Sequence, residues 1–481
     1  MFPVKQEGIH LILGDIADGL TRSVETTVNT INEAFFEPVI RLGVTGLSRA
    51  GKTIFITSLV ANLVSRGRMT GLRAAAEGRI LSAWLQPQPD DTLPRFPYED
   101  HLAAITGAEP VWPDGTTGIS ELRLSLRVSP TGLLGGMSGP RTIHLDIVDY
   151  PGEWLLDLSL LDIDFTTWSK NVLSRIETRP EADVFRARLA DTDIEGKLDE
   201  PAAKALAEAF TDYLQDARAA GYSDCTPGRF LLPGDLKGSP VLTFAPLPEG
   251  SAGRGTLARE FARRFEAYKR EVVKPFFRDH FARIDRQVVL VDVLGAIHAG
   301  PRAVDDLRVA LTDTLAAFRP GRNAFLSQLL LGKRVERILF AATKADHLHH
   351  SQHAALTAIT EALLSDAKAR ADFAGAGTRA MSIAALRATT EDRVQRDGRT
   401  LDVVRGKLLK DGRRAAFYPG RLPEDPARLL TPARQGADKW LDADYEIMDF
   451  APEPLTLKTG DGPPHIRLDS ATEFLIGDRL R

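Results

Sequence analysis

The stretch GLSRAGKT, residues 46–53, decides the fold, because it follows the β-type run PVIRLGVT and precedes the amphipathic run IFITSLVANLVSRG. It satisfies the pattern G-x-x-x-x-G-K-[ST] with Gly46, Gly51, Lys52 and Thr53. Glycines let the backbone curl so that successive N–H groups point at a phosphate, and the helix that follows adds partial positive charge at its N-terminus. Strand, glycine loop and helix in this order predict a nucleotide phosphate site.

Several positions of this loop have a predicted task. We expect Lys52 to reach the β- and γ-phosphates and the Thr53 hydroxyl to bind Mg²⁺. Arg49 is unusual in such a loop: it either supplies positive charge to a triphosphate, like an arginine finger, or is a solvated or salt-bridged side chain. The predicted nucleotide contacts in and around the loop are Gly46, Ser48, Arg49, Ala50, Gly51, Lys52, Thr53 and Ile54.

A second motif, D-x-x-G, lies in IHLDIVDYPGEW, where Asp149 ends an apolar run and Gly152 follows three residues later. An aspartate at a strand end can hold Mg²⁺, and a glycine N–H can contact a γ-phosphate, which makes such a loop sensitive to hydrolysis. The next residue, Glu153, can act as a base or orient water, but its charge opposes the γ-phosphate, so we expect slow intrinsic turnover. Asp146 is a fallback metal ligand only.

The turn-like stretch WPDGTTGIS, residues 112–120, precedes the second motif and contains Thr116 and Thr117. Nucleotide hydrolysis usually recruits a threonine from a mobile loop at this place, and we select Thr117 for that role. A plain surface turn is the alternative.

A third motif of the type [NT]-K-x-D occurs in LFAATKADHLHH, as Thr343, Lys344 and Asp346. The aspartate can accept hydrogen bonds from guanine N1–H and N2–H₂, a pair of donors that adenine lacks on that edge, and the lysine stem can lie over the purine plane. A polar helix start capped by Asp346 is the alternative. Further along, in MSIAAL, a backbone N–H near Ala384 can meet guanine O6.

Three histidines follow the third motif at positions 347, 349 and 350. Because no cysteine or carboxylate stands beside them at ligand spacing, we expect exposed helix residues rather than metal ligands.

Composition places the chain among ordinary globular proteins, with 481 residues, 26% charged residues and a net charge of −4. The single cysteine, Cys225, excludes a disulfide framework, and the charge favours no nucleic-acid partner. The longest apolar run, VVLVDVLGAI, is broken by Asp292 and is too short to span a membrane. We expect a cytoplasmic protein, with a peripheral role at the membrane left open.

The pattern of elements predicts an α/β fold, a doubly wound and mainly parallel sheet of the P-loop G-domain type. Periodic apolar residues predict an N-terminal helix within 1–35 and a mostly helical insertion over 155–284, with Pro275 bending or ending one of its helices. The nucleotide-binding domain is predicted in two parts, 36–154 and 285–396, and a C-terminal extension covers 397–481.

The stretches VTGLSRAGKT, DYPGEWLLDL, ATKADH, FYPGRLP and HIRLDSATEFLIGDRL resemble the YcjX-like family of bacterial P-loop GTPases over nearly the whole chain. The resemblance implies a cytosolic, stress-associated GTPase that binds GTP or GDP with Mg²⁺. It also implies a membrane protein as partner, in some bacteria, at the inner membrane.

From the motifs, the leading function is a Mg²⁺-dependent GTPase that acts as a molecular switch. A P-loop ATPase or relaxed-specificity nucleotidase, in which Asp346 is structural, is one alternative. A nucleotide-stabilised scaffold with negligible turnover for a membrane-associated partner is the other. The sequence does not fix the oligomeric state.

Overall fold

The computed structural model describes residues 37–46, 50–115, 118–131, 139–250, 253–317, 335–373, 376–396, 398–440 and 445–481, without the side chains of 313–317 and 366–373. The helix predicted within residues 1–35 lies outside the described residues, as do Ser48, Arg49 and Thr117.

A mixed sheet of seven strands, in the order β2-β3-β4-β1-β5-β6-β7, forms the centre of the molecule. Strands β4, β1, β5, β6 and β7 run parallel to one another, and β2 and β3 add an antiparallel edge next to β4. This mainly parallel sheet with helices confirms the predicted α/β class. The strands are β1 (Val39–Gly46), β2 (Ile80–Gln86), β3 (Ser120–Val128), β4 (Arg141–Asp149), β5 (Arg286–Val291), β6 (Arg337–Ala342) and β7 (Gly377–Ser382).

Apolar side chains of the strands are buried on both faces, as expected for parallel strands that helices cover. Leu42, Val44, Leu290 and Leu339 belong to one buried cluster, while Val289, Val291 and Phe340 belong to another. The helices around this sheet are α1 (Lys52–Ser65), α2 (Arg73–Ala76), α3 (Tyr98–Thr106), α11 (Val293–Ala299), α12 (Pro301–Ala317), α13 (His353–Phe373), α14 (Ala427–Arg434) and α15 (Leu468–Ile476).

The region between β4 and β5 is helical and has its own core, which also includes Val148, Tyr150 and Trp154 beside the sheet. Its α-helices are α4 (Glu153–Leu156), α5 (Phe165–Ile176), α6 (Asp183–Ala190), α7 (Glu200–Ala219), α8 (Gly228–Leu231), α9 (Leu257–Tyr268) and α10 (Lys274–Asp279). A π-helical turn, Lys269–Val273, separates α9 from α10, and Pro275 lies in the first turn of α10. The backbone stays helical through this proline to Asp279, so the helix does not end at Pro275, where we predicted a bend or an end.

A second sheet follows β7 and consists of β8 (Thr390–Arg396), β9 (Arg399–Leu408), β10 (Arg414–Phe417) and β11 (Phe450–Ala451). Strand β9 pairs antiparallel with the other three. The end of the chain then returns to the large sheet, because Leu468, Ala471 and Leu475 of α15 are buried in the same cluster as β1. The C-terminal residues are thus part of the main core.

Helix α1 ends before Gly67, the last residue of the amphipathic run IFITSLVANLVSRG. Arg66, with a φ of 66°, caps the helix after Ser65. The Gly67 N–H instead donates to the Gly460 carbonyl, and a Cβ at this position would lie 2.6 Å from that oxygen. The glycine is needed for close approach of the C-terminal segment.

Candidate functional site

The predicted phosphate loop connects the end of β1 to the start of α1. Gly51 has a φ of 78° and directly precedes the helix, a left-handed conformation that favours glycine. A Cβ at Gly46 would lie only 3.0 Å from the Cβ atoms of Ala50 and Leu290, so the end of β1 packs closely against both residues. Lys52 is half-buried and Thr53 is buried at the first turn of the helix, beside Ile54. These residues form the expected strand–loop–helix unit.

The D-x-x-G motif lies at the end of the neighbouring strand. Asp149 is the last residue of β4, is fully buried, and pairs in register with Val44 of β1. The Tyr150 N–H donates to the Val44 carbonyl at 3.3 Å, which holds the start of the motif against β1. Gly152 then forms the N-cap of α4. The motifs that contain Thr53 and Asp149 therefore lie at the ends of adjacent parallel strands, at the same edge of the sheet.

Glu153 is buried and directed toward the helical region. Its Oε1 lies 3.5 Å from Nη2 of Arg218 on α7, and only 5% of the residue is exposed. A Cβ at Gly228 would lie 2.3 Å from the Glu153 carbonyl oxygen, so this turn packs tightly against α8. Glu153 thus connects the D-x-x-G loop to the helices that follow it.

The stretch predicted to supply a threonine passes close to α1. The Thr53 hydroxyl lies 3.5 Å from the Asp114 carbonyl, three residues before Thr117. The fallback ligand Asp146 is engaged elsewhere, because both of its carboxylate oxygens accept from Arg123, at 2.6 and 2.9 Å.

The third motif follows β6. The Thr343 N–H donates to the Val291 carbonyl at 2.9 Å, and Lys344 adopts a left-handed φ of 59°. The Lys344 ammonium donates to Asp292 at 2.6 Å, which positions the lysine beside the end of β5. Asp292 ends the apolar run VVLV, which indicates a position at a strand end. Our predictions did not use this indication that Asp292 could pair with Lys344.

Asp346 is buried within a network of its own. Its Oδ2 accepts from the Ala388 N–H at 2.9 Å, and its carbonyl accepts from the Thr389 hydroxyl. A carboxylate has about four lone-pair positions, so this bond leaves acceptor capacity for a base. The segment after β7 therefore braces the third motif, a contact between residues 42 positions apart.

The segment after β7 is itself held by the end of the chain. Ala384 and Ile466 exchange two backbone hydrogen bonds, so the Ala384 N–H already donates to a carbonyl, at 3.1 Å. This bond argues against the Ala384 amide as the donor to guanine O6. The Arg467 guanidinium donates to the carbonyl of Ser382 at 2.9 Å and to its hydroxyl at 3.0 Å.

The expectation that the three histidines are exposed is wrong for two of them. His347 and His349 are 8% and 4% exposed, whereas His350 is exposed. The second sheet covers them, and burial lowers the pKa of His347. Glu391 of β8 also supplies the carboxylate neighbour that local spacing did not reveal.

The four loops described above all leave the carboxyl edge of the parallel strands. In such sheets, ligands bind in the crevice outside the carboxyl ends of the strands. Fold and loops together define an α/β protein of the P-loop nucleotide-binding type.

Comparison with known proteins identifies the family. The model of the YcjX-like family, DUF463, matches residues 40–480, so the chain belongs to this family. The chain is 39% identical over 458 residues to the Ras-like GTPase YcjX of Escherichia coli strain K12, covering 92% of this chain and 96% of that protein. It is 35% identical over 468 residues to the Ras-like GTPase YcjX of Shewanella oneidensis strain MR-1, covering 92% and 94%.

Within the described ranges, every helix is too short or too polar to cross a bilayer.

Proposed function

We propose that the chain is a GTP-binding and GTP-hydrolysing protein that acts as a molecular switch. The observation that supports this most is the position of Lys52, Asp149 and Asp346, which lie at the carboxyl ends of β1, β4 and β6, parallel strands of one sheet. The names of both relatives, Ras-like GTPase, agree with this proposal.

In this proposal, each loop has one chemical task. Lys52 and the N–H groups of the Gly46–Thr53 loop neutralise the phosphates, while Arg49 adds a positive charge in cis. The Gly152 N–H contacts the γ-phosphate, and Thr117 joins the site from the preceding loop. Catalysis of this kind depends on positioning and electrostatic stabilisation rather than on a protein nucleophile.

Thr53 and Asp149 fit a Mg²⁺ site. A hydroxyl and a carboxylate are oxygen ligands of the kind that Mg²⁺ prefers, and their loops leave adjacent strands. The cation, when bound, neutralises charge that develops on the phosphates.

The third motif recognises the guanine base in this proposal. Asp346 accepts from guanine N1–H and N2–H₂, and the Lys344 stem lies over the purine, with Thr343 supporting the turn. Because the Ala384 N–H is engaged with Ile466, we assign guanine O6 to another backbone donor of the same segment.

Competition binding of GDP, GTP, ADP and ATP to wild type and Asp346→Asn tests this proposal. The amide keeps an acceptor for the Ala388 N–H but loses the carboxylate, so guanine nucleotides should bind about 10- to 100-fold more weakly. Xanthine nucleotides, which lack the N2 donor, should gain affinity. Asp235→Asn, at an exposed position, is the matched control.

Equal binding of adenine nucleotides to wild type, with no effect of the substitution, would refute the guanine assignment. It would favour the ATPase alternative, in which Asp346 only braces its loop.

A scaffold with very low turnover is the second candidate, and one contact favours it. Glu153 is paired with Arg218, so it is held toward the helical region and away from a water-orienting role. A single-turnover hydrolysis assay separates the two functions. The family resemblance implies a stress role and a partner at the inner membrane, and both are compatible with a switch and with a scaffold. We propose that the partner binds the helical region.

A further inference from the structure

His349, His350 and Glu391 meet where the loop after the third motif contacts the second sheet. One candidate ligand atom from each of the three side chains lies within 4.8 Å of the others. We propose that these residues bind a first-row divalent cation, with Zn²⁺ the best fit. This site is separate from the nucleotide and does not depend on the proposed function.

Two of the three distances between ligand atoms suit a tetrahedral ion after a small adjustment. Glu391 Oε2 lies 2.6 Å from His350 Nδ1 and 3.8 Å from His349 Nε2. Zinc bonds of about 2.0–2.2 Å in a tetrahedron separate neighbouring ligand atoms by roughly 3.3 Å. The first pair must therefore open, and the second must close, by less than about 1 Å each.

Neighbouring groups orient the glutamate toward the two rings. Its other oxygen, Oε1, accepts from the His350 backbone N–H at 3.2 Å and lies 3.7 Å from the Arg387 guanidinium. These contacts leave Oε2 facing the imidazoles. Hydrogen bonds to the non-ligating atom of a ligand are a usual feature of protein metal sites, because they fix its orientation.

The buried His349 has the same kind of support. When its Nε2 binds a cation, its Nδ1 carries the proton and can donate it to the Ser351 hydroxyl, 2.9 Å away. Asp402 Oδ2 lies 3.8 Å from the same nitrogen and adds a negative charge. The Ser351 N–H is also near, at 3.4 Å, but that distance is too long for a strong bond.

The chemistry of the donors selects the class of cation. Two imidazoles and one carboxylate suit Zn²⁺ and neighbouring first-row ions, whereas Mg²⁺ and Ca²⁺ prefer oxygen ligands alone. Three protein ligands leave a fourth position for water. The cation would join the loop that follows Asp346 to β8, which begins directly after Thr389, so it would tie together both segments of the base-side network.

The test uses untagged full-length protein, free of nucleotide and stripped with chelator. Zn²⁺ is titrated in competition with a chromophoric chelator, and Co²⁺ binding is followed by its visible absorption. We expect one ion per chain and an intense tetrahedral Co²⁺ spectrum. His350→Ala and Glu391→Gln should each weaken Zn²⁺ binding about tenfold or more.

The controls are His298→Ala and Glu424→Gln, both at exposed positions outside the cluster. They should leave the affinity unchanged. His350 is 65% exposed in its side chain, so its replacement tests ligation without disturbing the core. Absence of stoichiometric binding to wild type, or unchanged affinity in His350→Ala and Glu391→Gln, would show that the cluster is only an ion pair.

Discussion

The phosphate loop and the base-side loops open on the same edge of the sheet but are assembled in different ways. The former is one contiguous stretch, Gly46–Thr53, between a strand and a helix. The latter combines Thr343–Asp346, the segment after β7 and the segment before α15. One end of the site is thus built locally, and the other by contacts across the chain.

Because of this difference, we expect the base side to be rigid and the phosphate side to respond to the nucleotide state. On the base side, Asp346 and Ser382 are held by hydrogen bonds from the Ala388 backbone N–H and the Arg467 guanidinium. On the phosphate side, the D-x-x-G loop runs directly into the helical region and is tied to it by Glu153 and Arg218. A change in nucleotide state should therefore be felt by the helical region first.

The largest effect should come from the phosphate side, in Lys52→Ala. Loss of a preorganised charge aimed at the transition state typically costs about 100- to 1,000-fold in rate, and we expect single-turnover GTP hydrolysis to fall by that order. Lys237→Ala, at an exposed position, is the control. An unchanged rate in Lys52→Ala would mean that the loop does not carry the phosphate.

The strands and the helix that flank the phosphate loop were predictable, because each is encoded by a pattern within a few consecutive residues. Strands β1 and β4 and helix α1 all lie where their periodicity predicts. The base-side braces could not be predicted, since Arg467 meets Ser382 across 85 residues and nothing local marks either as a partner. Local sequence patterns predict individual strands and helices, whereas contacts between distant residues depend on how those strands and helices pack.

The partners of buried charged residues could not be predicted from local sequence either. Arg286 is fully buried at the start of β5, where its guanidinium donates to the Leu475 carbonyl and pairs with Glu336 and Asp478. A charged residue is almost never fully buried unless it is paired, and these partners lie far away in the sequence. The burial of His347 and His349 was missed for a similar reason, because the strands that cover them follow later in the chain.

A smaller effect is expected on the base side, in Arg467→Ala. Removing a guanidinium that donates to the Ser382 carbonyl and hydroxyl leaves these groups less well satisfied. At roughly 1.5 kcal/mol for a charged hydrogen bond, GDP affinity should fall about tenfold, with a lower melting temperature. Arg413→Ala, whose side chain is 80% exposed, should change neither. Full affinity in Arg467→Ala would show that this brace is not required.

The smallest effect concerns the link between the D-x-x-G loop and the helical region, in Arg218→Ala. The substitution leaves the buried Glu153 carboxylate without this cation, so the side chain is released toward the crevice. If Glu153 can orient water once released, hydrolysis should rise about fivefold, the low end of a typical coupling between sites. Rates are measured in single turnover at saturating Mg²⁺ and GTP.

Two further variants decide what the rate in Arg218→Ala means. Arg188→Ala, at an exposed position of α6, should leave hydrolysis unchanged. Glu153→Ala combined with Arg218→Ala should cancel the increase, because alanine can neither orient water nor accept its proton. If the double variant keeps the higher rate, Glu153 has no part in hydrolysis and Arg218 acts through the packing of α7. If Arg218→Ala is slower than wild type, the pair supports the active arrangement instead of restraining it.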